Sequence, residues 1–252
     1  MRFLINVLWT ILFYTFSIFI FLVLYPILFC IALFPESLRY ENRLYFFVSR
    51  IIGWAMLKFS GASLTISGAE YLPSFPNNPS VIIANHTSAL DIALIEMLVG
   101  SYPHVWLSKD EYRSVPLFGF LLQRMHILVK RHDASQARRA LVKAIDLMDG
   151  KKSHLLIFPE GTRGPGDTLL PFHAGFAVIA HKLNRPVIPV VIHGFSKLFP
   201  KKKWLIDSSY KEVRIIIGEP LHIRDGQPTS SFVEETHDMM TEMLSELCKG
   251  QQ

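Results

Sequence analysis

The sequence predicts an α/β fold: a single domain with a mostly parallel or mixed sheet of about seven strands flanked by helices, preceded by an N-terminal membrane-binding helical hairpin. Three observations carry this. After Gly61, short β-branched runs alternate with helix-length segments. Several of those runs are apolar throughout, as expected for strands covered on both faces. Residues 3 to 34 carry no charge at pH 7.

The apolar end comes first. The 252 residues are 50% hydrophobic and only 19% charged, where a soluble domain has about 25% charged residues. That balance excludes a disordered, collagenous or low-complexity chain and gives part of the protein a non-aqueous setting. Phe3 to Tyr25, before Pro26, would span about 34 Å as a helix, enough to cross a hydrocarbon core of about 30 Å. The stretch is too long for the apolar region of a signal peptide, and no small-x-small cleavage site follows it, so it reads as a retained anchor. Pro26 is expected to kink or interrupt the helix. In Glu41 to Ser60, the residues Leu44, Phe47, Val48, Ile51, Ile52, Ala55 and Phe59 share one helical face, opposite Arg43, Arg50 and Lys58. Two readings are open: a helix lying in the membrane interface, or one packed on a soluble core. The expected division is membrane-anchoring helices over 1–60 and the α/β domain over 61–252.

Charge sharpens the division. Residues 1–60 carry five basic and two acidic side chains, residues 61–224 carry 20 and 13, and residues 225–252 carry one and six. The basic surplus therefore sits in the middle of the chain. Cys30 and Cys248 match neither a disulfide framework nor a CxxC or metal-ligand spacing, which suits a reducing compartment and predicts no metal.

Strands are expected at Ser63 to Ser67, Ser80 to Ala84, His104 to Leu107, His126 to Lys130, Leu155 to Phe158, Val187 to Ile192 and Val213 to Gly218. Asp133 caps a helix that buries Ala137, Leu141, Ala144, Ile145 and Met148 and closes at Gly150. Ser231 with Glu234 resembles a capping box opening the last helix, and Leu72 to Pro79 is a proline-rich loop.

Two motifs follow strands. Asn85-His86-Thr87-Ser88-Ala89-Leu90-Asp91 ends one strand and opens a helix, so His86 lies at the carboxyl edge of the sheet, where sites form in open α/β folds. An imidazole there can serve as a general base, and a carboxylate can orient it. Five residues apart, the two would sit about 140° apart on one continuous helix. They can meet only if His86 precedes the helix, which Ser88 as N-cap would arrange. Ser88-x-x-Asp91 is also a capping box, which leaves open that Asp91 serves the helix and His86 is a surface residue. The second motif, Phe158-Pro159-Glu160-Gly161-Thr162-Arg163, makes a rigid turn that ends in a guanidinium suited to bidentate phosphate contact.

Together these residues resemble the glycerolipid acyltransferase family, specifically the 1-acylglycerol-3-phosphate acyltransferases. The resemblance is carried by Asn85-His86-x-x-x-x-Asp91, by His126 to Arg131, by Phe158 to Arg163 and by Val187 to Ile192, in order over about Ser80 to Ile192. It implies His86 as general base with Asp91 as its partner. It further implies that Glu160, Gly161, Thr162 and Arg163 belong to the acceptor site and that Lys109 and Arg131 help bind phosphate. Met125 departs from the pattern, which more often has Gly there.

The implied reaction is transfer of a fatty acyl group from acyl-CoA or acyl-carrier protein to the sn-2 hydroxyl of lysophosphatidic acid, giving phosphatidic acid, at a membrane with the site on the cytoplasmic side. A different lysophospholipid acceptor, or a non-catalytic lipid-binding module, remains an alternative. A thioester donor needs neither metal nor redox cofactor, and no cysteine or elbow serine is offered for an acyl-enzyme. Lys201-Lys202-Lys203 is too short and too poor in aromatic neighbours to indicate nucleic acid, and reads as a solvated or membrane-facing loop.

Overall fold

The structure is a computed structural model that describes residues 1–72, 78–130, 133–201 and 203–249. Helices α1 (Arg2–Ala32), α2 (Glu36–Arg39) and α3 (Arg43–Ser60) lead into strands β1 (Ser63–Ser67) and β2 (Val81–Ala84). Next come α4 (Leu90–Val99), β3 (His104–Lys109), α5 (Phe118–Met125), β4 (Ile127–Val129) and α6 (Ala134–Met148). The chain closes with β5 (His154–Ile157), α7 (Gly175–Leu183), β6 (Val187–His193), α8 (Phe195–Leu198), β7 (Glu212–Ile217) and α9 (Thr229–Lys249). The strands form one seven-stranded sheet in the order β1-β7-β6-β2-β5-β3-β4. Strands β6, β2, β5, β3 and β4 run parallel, and β7 is antiparallel to β6. Observed and expected strand ends differ by two residues at most.

Strands β2 and β5 are buried at every position, which explains their unbroken apolar runs. Alternate residues feed two cores. Val81, Ile83, Val105 and Val191 pack beneath α6, α7 and α9. Ile82, Ala84, Trp106 and Ile192 pack beneath α4 and α3. Carboxyl ends of the five parallel strands share one edge, which places the motifs together.

The N-terminal helices cover the α4 side. Gly53 of α3 lets the two helices approach closely: a Cβ there would lie 2.8 Å from the carbonyl oxygen of Ala93 on α4. The buried face of α3 is Tyr45, Phe46, Val48, Ala55 and Leu57, rotated from the expected one because α3 is sandwiched between α1 and α4. Leu44 and Phe47 are exposed instead. Pro26 lies inside α1 without interrupting it. Leu28, Ile31 and Ala32 beyond the proline are buried with Tyr45, Phe46 and Met125, and that packing holds the last turns in place.

Helix α1 is docked along its length. Near its start Asn6 accepts from the backbone N–H and hydroxyl of Ser208 at 3.1 and 2.7 Å, and the Thr10 hydroxyl accepts from the N–H of Ile206 at 2.9 Å. At its end, Arg124 of α5 donates to the carbonyl of Ala32 at 2.8 Å. Phe3, Leu4, Leu8, Ile11, Phe19 and Leu22 project outward. One correction concerns α9, which begins at Thr229, two residues before the expected Ser231 cap. Pro228 sets that start: its fixed φ suits helix entry, and its carbonyl takes the Phe232 N–H at 3.2 Å.

Two buried histidines make stability depend on pH. His126 Nδ1 accepts from the N–H of Trp106, and His154 Nδ1 accepts from the N–H of Ser80, each at 3.2 Å. Both rings must be neutral to accept, and burial pushes both pKa values down to about 4. Since the folded pKa lies below the unfolded value of about 6.5, the contribution is complete above that pH and is lost as pH falls toward 4. Thermal unfolding at pH 5 should show a loss on the order of 2 kcal/mol per histidine relative to pH 7. A profile that stays flat over this range would contradict the neutral assignment.

Candidate active site

The site is built where β2 and β5, neighbours in the sheet, end side by side. Helix α4 starts at Leu90 with Ala89 at its N-cap, one residue later than a Ser88 cap would place it. The Ser88 hydroxyl donates to the carbonyl of Phe199 at 2.9 Å and accepts only a long bond of 3.4 Å from the N–H of Leu90. The cap's work falls to Asp91. Its Oδ2 reaches back over the first turn and accepts from the N–H groups of Thr87 and Ser88 at 2.6 and 2.8 Å.

The same oxygen holds the histidine. His86 Nδ1 lies 2.9 Å from Asp91 Oδ2. Facing a carboxylate, Nδ1 carries the proton, which leaves Nε2 as the basic nitrogen. The Asp91 side chain is fully buried and the His86 side chain is 12% exposed. Phe158 stacks on the imidazole with centroids 4.1 Å apart and planes 10° apart, and Trp106 lies behind it at 5.2 Å. With one ring edge bonded and one face covered, the imidazole has a single orientation.

Glu160 is turned inward. Its Oε1 accepts from the N–H of His86 at 2.9 Å, and its Oε2 accepts from the N–H of Leu170 at 3.0 Å. A return bond runs from the Gly164 N–H to the His86 carbonyl at 2.7 Å. Burial raises the Glu160 pKa, against the two N–H donors that favour the carboxylate. The turn requires Gly161, which sits at φ +71 and whose N–H returns to the Phe158 carbonyl at 3.1 Å. A Cβ on Gly164 would come within 2.7 Å of Glu160 Oε2.

Thr162 and Arg163 follow the turn, both half-buried. Lys109 ends β3, beside β5 and about 10 Å along the sheet from β2. Arg131 lies outside the described residues. Met125 is buried against the N-terminal helices, where a glycine would leave a void.

Sequence reasoning missed two features. Lys201, read as part of a solvated or membrane-facing loop, brings its Nζ to the Arg163 carbonyl at 2.6 Å and to Thr162 Oγ1 at 3.5 Å. The Ser88 bond to Phe199 anchors the loop that delivers it, and the only sequence signal was the charge of the run. Asn85 makes paired bonds of 2.9 and 2.7 Å to the backbone of Ile192, fixing the end of β2 against β6. The fold also brings donor atoms of Asp167, His193 and Cys248 within 4.8 Å of one another, although their spacing matched no metal pattern. Burial lowers the His193 pKa, its bond to Asp167 opposes that, and Lys197 and Arg214 add to the lowering.

A family model described as Acyltransferase matches residues 63–193, spanning both motifs and the strands that carry them. The chain belongs to the acyltransferase family. A 1-acyl-sn-glycerol-3-phosphate acyltransferase of Helicobacter pylori is 33% identical over 71% of this chain and 73% of its own. The chloroplastic one of Brassica napus is 30% identical over 82% of this chain, but the chain spans only 58% of that relative's length. The crystal structure of the 1-acyl-sn-glycerophosphate (LPA) acyltransferase of Thermotoga maritima superposes with a TM-score of 0.81 at 26% identity, covering 98% of each chain.

The Glu160 geometry is directly testable. Glu160→Gln keeps the size but sets an NH2 against one of two buried N–H donors. It should cost about 1 to 3 kcal/mol of stability and lower turnover at saturating substrate, as measured by thermal unfolding and steady-state kinetics. Wild-type values in both would show that the carboxylate is not what joins the two motifs.

Proposed function

We propose that the protein transfers a fatty acyl group from an acyl thioester, acyl-CoA or acyl-carrier protein, to the sn-2 hydroxyl of lysophosphatidic acid, forming phosphatidic acid. The observation that carries this reading is the His86 and Asp91 pair, in which the carboxylate holds Nδ1 and leaves Nε2 as the basic nitrogen. Curated relatives bearing the name of this activity support the choice of acceptor.

In this mechanism the acceptor hydroxyl donates its proton to Nε2 as its oxygen attacks the thioester carbonyl. Asp91 stabilises the imidazolium that forms. Collapse of the tetrahedral intermediate breaks the C–S bond, and the leaving thiolate takes the proton back, so that thiol and ester are released. A positioned base of this kind contributes typically about 10²- to 10⁴-fold. Lys109, Arg131, Arg163 and Lys201 supply positive charge for the acceptor phosphate, with Thr162 as a hydroxyl partner. Glu160 and Gly161 are positioning residues. The chemistry calls for neither metal nor redox cofactor, because the thioester is itself the activated group.

Helix α1 is read as lying in one leaflet. Both of its ends bond to the same globular part, whereas a helix crossing the bilayer would carry one end away from it. Phe13 and Tyr14 lie 6.2 and 6.3 Å from Phe199, whose carbonyl takes the Ser88 hydroxyl, so the apolar helix adjoins the site. A lipid acceptor can then reach His86 without leaving the membrane. The thioester donors imply a site facing the cytoplasmic side.

Purified protein given lysophosphatidic acid and an acyl thioester should release free thiol, and His86→Ala should reduce this at least about 10²-fold without loss of thermal stability. Activity surviving that change would falsify the assignment of the base. Arg163→Ala should raise the KM for lysophosphatidic acid more than for an uncharged acceptor such as monoacylglycerol. An equal effect on both would remove the phosphate role.

A further inference from the structure

Helix α6 buries Ala140, Ala144, Leu147 and Met148 and turns Arg138, Arg139, Val142 and Lys143 outward, as helical spacing requires. These outward residues line a groove of about 500 Å³, bounded on its far side by Glu36 of α2 and by Lys151. Asp146 and Ser135 complete the α6 wall. Glu36 is engaged by Arg39 at 3.3 Å. Among the described residues, no ion pair engages Arg138, Arg139 or Lys143. Lys151 is held in place: its carbonyl accepts from the buried Arg185 at 2.7 Å, and its Nζ lies 5.4 Å from the centroid of the Tyr40 ring.

A row of surface cations is by itself an ordinary solvated face. Here the row adjoins an apolar band. Glu36 stands in the chain between Phe34, 44% exposed, and Leu38, 60% exposed, and Leu33 beside Phe34 is exposed as well. Apolar side chains that enter the acyl region, bordered by lysine and arginine at the level of the headgroups, characterise a surface that meets an anionic bilayer.

We propose that the groove between α2 and α6 binds the phosphate headgroups of anionic membrane phospholipids, separately from the acceptor site at His86. The occupant is a bilayer lipid, because the groove opens beside the band that the membrane covers. Helix α1 alone leaves rotation about its own axis unspecified, since apolar side chains project along much of its surface. A second, charged contact removes that freedom and turns the carboxyl edge of the sheet toward the membrane in one orientation. The inference rests on the reading of α1 as membrane-bound.

The test partitions the full-length protein between buffer and vesicles of phosphatidylcholine alone, or of phosphatidylcholine with phosphatidylglycerol. Wild type should bind the anionic vesicles roughly tenfold more tightly, from about fivefold per cation near the surface less what partial exposure screens. The combined variant Arg138→Gln, Arg139→Gln and Lys143→Gln should keep the neutral-vesicle value, lose the anionic gain, and turn over a detergent-dispersed acceptor as wild type does. Equal binding of wild type to both vesicles, or a variant that retains the gain, overturns the proposal. So does displacement of the gain by soluble glycerol 3-phosphate or by an acidic carrier protein. Wild type that binds neither vesicle overturns the membrane reading as well, an outcome distinct from loss of the anionic gain alone.

Discussion

The carboxylate of Glu160 is the point on which the site depends. It lies beneath the junction of β2 and β5, with one oxygen on the backbone of His86 and the other on the backbone of Leu170. A buried carboxylate is costly unless hydrogen-bonded, and here two N–H groups that would otherwise be orphaned offset the cost. The bond does more than stabilise. It fixes the path of the chain on either side of the imidazole, and two glycines let that path form, Gly161 through its positive φ and Gly164 through its lack of a Cβ.

Asp91 resolves a choice that looked exclusive in the sequence. A carboxylate three residues after Ser88 could serve the helix N-terminus or could orient His86. One oxygen does both, because the backbone N–H groups of Thr87 and Ser88 and the imidazole converge on the same side of the turn. The helix terminus thereby holds a negative charge where its dipole favours one. That charge stabilises the imidazolium in the proposed mechanism.

The N-terminal helices are joined to the domain by polar bonds at both ends of α1, not by apolar contact alone. This arrangement suits the proposed membrane-bound helix, which would present one side to lipid and the other to protein. Apolar side chains cannot distinguish the two environments, whereas Asn6, Thr10 and the backbone groups they meet can. Met125, the departure from the family pattern, belongs to this junction, where it fills the space among α1, α3 and α5.

Much was legible in the sequence because it is local. Apolar runs in β2, β5 and β6 reveal strands covered on both faces, Asp133 caps α6 by accepting from the Gln136 N–H at 3.0 Å, and the two motifs fall at strand ends. The strand order was not legible, since it depends on which buried faces meet. Nor were the rotation of α3, the inward turn of Glu160 or the arrival of Lys201 at Arg163, because each depends on a partner at least 38 residues away in the chain. By itself the sequence determined the class of fold, the apolar N-terminus and the two motifs at strand ends, all set by side-chain chemistry and short-range periodicity. Only the tertiary structure decided which carboxylate holds the histidine, which holds the backbone and which cations gather at the groove between α2 and α6, because those positions follow from distances that exist only once the sheet has formed.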